Sequence, residues 1–171
     1  MVTFTSEQLW QCLSTVSDPE IPAVSVVDLG IVRELIWQED ETCEVIITPT
    51  YSGCPATQVI TESIEQALQS LGVEKIVIRT QLSPAWTTDW MTAAGREKLK
   101  AFGIAPPAHC ISPEQSSIDI SGLSNHTLPD IECPQCGSSH TRLLSQFGST
   151  ACKALYRCND CLEPFDYFKP H

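Results

Sequence analysis

Hydrophobic and polar positions along this chain follow two periods, and the switches between them outline its elements. Thr5-Ser6-Glu7-Gln8 has the form of a capping box, in which a hydroxyl residue at a helix start is answered by a glutamine three positions on. Leu9, Leu13 and Val16 then recur at helical spacing, which predicts an amphipathic helix to about Ser17. The stretch SDPEIP interrupts it, since each proline removes a donor and disfavours helical backbone in the residue before it. Residues 31–38 and 42–49 are rich in Val, Ile and Thr, with the polar Glu39-Asp40-Glu41 between them, and read as a β-hairpin. From Pro55 the period lengthens again: Ile60, Ile64, Ala67, Leu68 and Leu71 share a helical stripe, and Gly72 supplies its stop. Residues 75–82 return to strand composition. A strand, a helix and a strand with short connections form a βαβ crossover, so the third strand is predicted parallel to the second. Trp90, Ala94, Leu99 and Phe102 predict a last helix, capped by Thr88 or Asp89, closed by Gly103 and barred from continuing by Pro106-Pro107.

The pattern dissolves over 106–130, where Pro, Ser, Gly and Asn dominate and only a few residues such as Ile118, Ile120 and Leu123 are candidates to dock on a neighbour. The expected architecture is therefore α+β: a small mixed three-stranded sheet, built from the hairpin and the crossover, with about three helices over residues 1–105. A linker at 106–130 leads to a separate module at 131–171. Nothing repeats internally.

Length agrees with this division, because 171 residues suffice for a core of about 100 residues plus a small module that needs stapling. Net charge is −11, and residues 1–105 hold fourteen Asp and Glu against six Lys and Arg, while residues 131–171 hold four of each. Nucleic-acid binders draw affinity from clustered Lys and Arg, so a nucleic-acid partner is not expected. No apolar run approaches the roughly 20 residues of a membrane span, and the N-terminus lacks the form of a secretion signal, so a cytoplasmic location without membrane insertion is expected.

Cysteine changes the picture most. There are nine, and four fall in two pairs, CPQCG at 133–137 and CNDC at 158–161, separated by 21 residues. This spacing suits one metal ion held by Cys133, Cys136, Cys158 and Cys161, and two tight turns aiming four thiolates at one point close a tetrahedral shell. A closed shell leaves no position for water or substrate, so the metal is expected to be structural. Zinc is expected ahead of iron, although four thiolates suit both. Paired disulfides or free thiols are the alternative, which the spacing and a reducing compartment disfavour. Cys152 and His140 are rival ligands, expected to pack or face solvent because the shell is already full.

Cys54, within YSGCPAT at 51–57, has a different logic. Pro55 favours the first helical position, which makes Cys54 the candidate N-cap, and a helix N-terminus favours a thiolate. Gly53 permits a close approach or a positive φ, and the carboxyl end of a strand is where α/β ligand sites commonly lie. A buried cysteine that merely packs is the competing reading. A catalytic cysteine would require a base, yet residues 1–105 contain no histidine; His109, His126, His140 and His171 all follow. Asp18, Glu20 and Asp28 could orient a partner or a metal, with Thr57 as a further supporting candidate. Loop capping is the favoured role for the three acids. Trp86 and Trp90 could present a client surface, with core packing expected instead. One thiolate is too few for a stable iron–sulfur cluster, which commonly takes four, so Cys54 suits transient holding and transfer of iron or a cluster.

The stretches SDPEIPAVSVVDLGIV, TPTYSGCPAT, LSPAWTTDWMTAAGREKLKAFGIAPP and CPQCG…FGSTACKALYRCNDCLEPFDYFK resemble the PaaD family, accessory proteins of bacterial phenylacetyl-CoA epoxidase. The resemblance spans nearly the whole chain except part of 106–130. Residues 1–105 also resemble the wider SufT-type family of iron–sulfur assembly proteins, whose Cys-Pro motif Cys54-Pro55 matches and whose cysteine is implicated in cluster handling. The tail corresponds to a zinc ribbon. The epoxidase employs a di-iron oxygenase and a reductase bearing flavin and a ferredoxin-type cluster. The resemblance thus implies a maturation factor that assists iron or cluster insertion into one of those partners in aerobic phenylacetate degradation. A structural subunit of the complex and a Cys54-dependent thiol enzyme are the alternatives, and homodimerisation is left open. The sequence contains neither a di-iron carboxylate–histidine motif nor a dinucleotide fingerprint, which agrees with no activity of its own.

Overall fold

The computed structural model describes residues 4–107 and 131–170, and the chain divides into two compact units, residues 1–102 and 103–171. Apart from Pro106 and Pro107, the linker expected at 106–130, with Ile118, Ile120 and Leu123, lies outside the described residues.

In the first unit the capping box is present in full. The Thr5 hydroxyl accepts the Gln8 N–H at 3.2 Å, and Gln8 Oε1 accepts the Thr5 N–H at 2.9 Å. The helix α1 (Ser6–Leu13) ends earlier than the periodicity suggests. Hydroxyl residues explain this: Ser14 Oγ and Thr15 Oγ1 bond the carbonyls of Gln11 and Cys12, while the Thr15 and Val16 amides turn to residues three back. Val16 is nonetheless buried.

Strands β1 (Val32–Trp37), β2 (Thr42–Ile47) and β3 (Lys75–Thr80) form one sheet in the order β1-β2-β3. The hairpin pair is antiparallel, and β3 runs parallel to β2, Cys43 opposite Ile76 and Val45 opposite Ile78. The crossover helix α2 (Ala56–Leu71) buries Ala56, Ile60, Ile64 and Leu68. Cys43, Val45 and Ile47 of β2 are buried, as are Leu9 and Leu13 of α1, and together these residues supply the core. Gly72 stops α2 in the left-handed conformation at φ 105°. Leu71, expected on the buried stripe, is 37% exposed because it sits where the helix leaves the sheet.

The segment between β3 and the last helix departs from expectation. Thr88–Trp90 is a single 3₁₀ turn capped by Thr87, and α3 (Ala93–Ala101) starts later, capped by Thr92, whose hydroxyl accepts the Gly95 N–H at 2.9 Å. Neither Thr88 nor Asp89 caps the helix. Leu99 is buried, whereas Ala94 and Phe102 face solvent, because the buried face of α3 is turned toward residues 25–29 through Gly95. A Cβ on Gly95 would stand 2.7 Å from the Asp28 carbonyl oxygen, so only glycine permits this approach. Trp86 is in the core and donates its indole N–H to Leu29 O at 2.9 Å.

The second unit is a four-stranded sheet in the order β4-β7-β6-β5, comprising β4 (Ile104–Ala105), β5 (Thr141–Ser145), β6 (Lys153–Cys158) and β7 (Pro164–Phe168). Its core gathers Ala105, Ile131, Ala154, Tyr156, Phe165 and Tyr167 around Cys133 and Cys158. The Tyr156 ring stacks on Phe165 and meets Tyr167 edge-on. The sequence boundary at 105 therefore falls inside this unit. Ile104 and Ala105 pair in parallel with Asp166 and Tyr167, and a two-residue strand is too short for any periodicity to reveal.

Candidate functional site

The two C-x-x-C turns meet at the end of the second sheet. CPQCG turns tightly because the Gly137 N–H bonds Cys133 O at 2.8 Å and Gly137 takes φ 74°. In the second turn the Cys161 N–H points at Cys158 Sγ, 3.5 Å away, and Leu162 adopts φ 68°. The four sulfur atoms all lie within 4.8 Å of one another, with Cys133 and Cys161 3.7 Å apart and Cys136 and Cys158 3.6 Å apart. Thiolates arranged tetrahedrally at metal–sulfur bonds of about 2.3 Å stand about 3.8 Å apart, so the donor set fits a single ion.

The Cys158 thiol is drawn down to about 6, chiefly by the Cys161 N–H. Cys161, although the Glu163 N–H favours its thiolate, is pushed up to about 12 by burial and by the thiols around it. Neither rival ligand belongs to the cluster. Cys152 is buried with its sulfur 3.1 Å from the Thr150 hydroxyl, and His140 faces Asp160 at 3.1 Å.

Cys54 sits in the turn between β2 and α2. Thr48 anchors the start of that turn, its amide bonding Ile31 O at 2.8 Å, and the Cys54 N–H closes on Tyr51 O at 3.1 Å. Cys54 is not the N-cap. That position is Pro55, with helical φ and ψ and no side-chain capping bond, and the Thr57 N–H closes a tight turn on Cys54 O at 3.2 Å. Cys54 thus immediately precedes the cap residue, half-buried, and among the described residues its sulfur has no hydrogen-bond partner. The Thr57 hydroxyl reaches the Cys54 carbonyl at 2.9 Å, not the thiol. Gly53 is not in a positive-φ conformation, and a Cβ there would meet nothing within 4 Å, so the side of the turn next to the sulfur is open.

The acids of the preceding loop hold backbone. Asp18 Oδ1 accepts the amides of Glu20 and Ile21 at 2.9 and 2.8 Å, and Glu20 itself is partly buried. Asp28 accepts the Ser25 amide and hydroxyl, the Thr92 hydroxyl, and the Lys98 ammonium at 2.7 Å. Burial works to raise the Asp28 carboxyl, but Lys98 and Ser25 outweigh it and hold it below the usual carboxylate range. Lys98 and Thr92 had no signal in the sequence, since only the tertiary fold brings them to a residue 70 and 64 positions earlier. Trp90 carries the Arg33 guanidinium 3.5 Å over its ring, so it is engaged within the unit.

Fold and cysteine arrangement together define a two-part class: a small α+β domain and a four-cysteine ribbon. Residues 6–77 match the family described as iron–sulfur cluster assembly protein, and residues 121–169 match the PaaD zinc beta ribbon domain. A protein of Escherichia coli (strain K12), provisionally named as a component of 1,2-phenylacetyl-CoA epoxidase, is 48% identical over 95% of this chain and 91% of its own length. This chain belongs to the PaaD family. An Fe-S protein maturation auxiliary factor of Porphyromonas gingivalis (strain ATCC BAA-308 / W83) is 36% identical over 52% of this chain and 84% of its own length. Among solved structures, a domain of unknown function, DUF59, from Bacillus anthracis superposes with a TM-score of 0.51 at 26% identity, covering 54% of this chain and 89% of that one. Among the described residues no helix is long and apolar enough to cross a membrane.

Proposed function

We propose that this protein is a cytoplasmic maturation factor of a phenylacetyl-CoA epoxidase system, which holds iron or an iron–sulfur cluster transiently at Cys54 and passes it to the reductase or the di-iron oxygenase. The observation that carries this reading is the half-buried Cys54 thiol, which has no hydrogen-bond partner among the described residues and sits beside an open glycine in the turn entering α2. The names of the E. coli and P. gingivalis relatives support the same direction.

A single cysteine supplies one thiolate, whereas a resident cluster commonly takes four, so the remaining ligands come from a client or from a second copy of this chain. Transfer is then ligand exchange: a client thiolate replaces the Cys54 sulfur on iron, and Cys54 leaves with its electron pair, ready to be reloaded or protonated. No base for thiol catalysis lies within hydrogen-bond reach of Cys54 among the described residues, which favours carrying over turnover. The four ribbon thiolates hold zinc as a structural ion, filling its shell and leaving it no open position.

Anaerobic reconstitution of the full chain and of Cys54→Ser, followed by transfer to the apo reductase, tests the reading. Transfer is expected from the native chain and lost in the variant; equal transfer by both removes the thiol from the mechanism. Metal analysis of the same two samples is expected to give one zinc per chain in each.

A further inference from the structure

Asp160 stands between the two ligands of the second cysteine turn, and both of its oxygens reach the segment that follows the first. Oδ2 accepts the Ser138 hydroxyl, and Oδ1 lies 3.1 Å from His140 Nδ1. Ser138 is itself fixed: its hydroxyl oxygen accepts the His140 N–H at 3.0 Å, and its carbonyl accepts the Cys133 N–H at 2.9 Å. A backbone bond runs alongside, from the Asn159 N–H to His140 O at 2.8 Å. None of these groups belongs to the sulfur cluster. The segment that carries Cys133 and Cys136 is therefore joined to the turn that carries Cys158 and Cys161 by bonds that do not pass through the metal.

The four thiolates would hold one ion with two donors from each turn, so that separation of the turns would open its shell. We propose that Asp160 is a positioning residue for the ribbon metal, a two-armed carboxylate clamp that keeps the cysteine turns in register and slows loss of the ion. Asp160 does not touch the ion and acts through Ser138 and His140. The His140 and Asp160 side chains are 70% and 56% exposed, so their contact alone adds little to folding stability. Its effect lies in the rate at which the turns separate, where outer-shell partners commonly change metal retention about 10- to 100-fold. The inference concerns the ribbon alone and is independent of the role given to Cys54.

The test loads the full chain with one equivalent of zinc(II) and follows transfer of zinc to an excess of a chromophoric chelator. Asp160→Ala is expected to release zinc about tenfold faster. Asp160→Asn, whose amide oxygen still accepts the Ser138 hydroxyl and whose amide nitrogen can donate to His140 Nδ1, is expected to restore most of the slow release. Glu163→Gln, which removes a negative charge from the same loop, is expected to leave the rate unchanged. Native-rate release by Asp160→Ala would overturn the clamp, and so would equal acceleration by Glu163→Gln, which would reduce the effect to local charge. Should Asp160→Ala fail to load, Ser138→Ala and His140→Ala each remove one arm. Faster release by these variants supports the proposal, and native rates in both refute it.

Discussion

The Lys98 ammonium lies 2.7 Å from the Asp28 carboxylate, across 70 residues of chain, and so fastens α3 to the loop that leads into β1. The contact is unequal: the Asp28 side chain is 10% exposed and that of Lys98 49%. Removing the lysine leaves a largely buried carboxylate with its hydroxyl and amide donors alone.

Lys98→Met is accordingly expected to destabilise the first unit by about 1–3 kcal/mol, read from urea midpoints. The pair also sets a pH dependence. The folded Asp28 carboxyl lies below its ordinary value of 3.8, so the contribution is complete above that value and fades as pH falls through the lower folded one. Native protein should therefore lose more stability than Asp28→Asn when urea titrations at neutral pH are compared with titrations near pH 3. Parallel losses in the two proteins would contradict this.

Two glycines are close-approach points. A Cβ at position 95 would meet the Asp28 carbonyl at 2.7 Å, and one at position 30 would meet the Trp90 carbonyl oxygen at 2.3 Å with φ at +67°. Gly95→Ala is expected to cost about 1–3 kcal/mol from overpacking. Gly30→Ala should cost more, since a disfavoured backbone conformation is added to the clash. Thermal melts of the two variants give the order directly.

Thiol accessibility separates the cysteines of the first unit. Cys54 is half-buried in an open turn, Cys43 is buried at the sheet centre, and Cys12 donates its thiol to Ala67 O at 3.3 Å with burial pushing it up. Limited alkylation followed by peptide mass spectrometry should label Cys54 before Cys12 and Cys43. Cys54→Ser should leave the melting temperature nearly unchanged, whereas Cys43→Ser places a hydroxyl among Val45, Ile47 and their neighbours and should cost about 1–3 kcal/mol.

All four tryptophans lie in residues 1–102 together with Tyr51, and Tyr156 and Tyr167 lie in the ribbon core, so tryptophan reports on the first unit and, once Tyr51 is replaced by Phe, tyrosine reports on the second. In a Tyr51→Phe background, chelation of the ribbon metal is expected to abolish the near-ultraviolet dichroism of Tyr156 and Tyr167, because so small a core depends on its metal. Tryptophan emission should persist. A tyrosine signal that survives complete metal removal would show that the ribbon core suffices by itself.

Much of this fold is legible in the chain alone. The stripe Ile60, Ile64, Leu68 and the β-branched runs around Glu39-Asp40-Glu41 have one physical interpretation each, because a single buried face imposes its period on the sequence. The cysteine tetrad is equally plain, since the two short spacings encode two turns. What stays hidden depends on partners far along the chain. Nothing local distinguishes Thr92 from Thr88 or Asp89 as the cap of α3; the fit of Gly95 against Asp28 decides where that helix begins. Cys54 misleads for a local reason: Pro55 can open a helix either as its first residue or as its cap, and here it stands as the cap. Asp160 has no visible role in the sequence, because its partners Ser138 and His140 are 22 and 20 residues away.

The short strand at Ile104–Ala105 has a practical consequence for anyone who wishes to cut this molecule in two. A ribbon excised at residue 131 would leave that strand behind on the other fragment and strip the outer edge of β7 of its neighbour. A bare edge is a template for pairing with another copy, so such a fragment should be prone to self-association even when fully metallated. A ribbon meant for transplantation has to carry residues 103–107 with it.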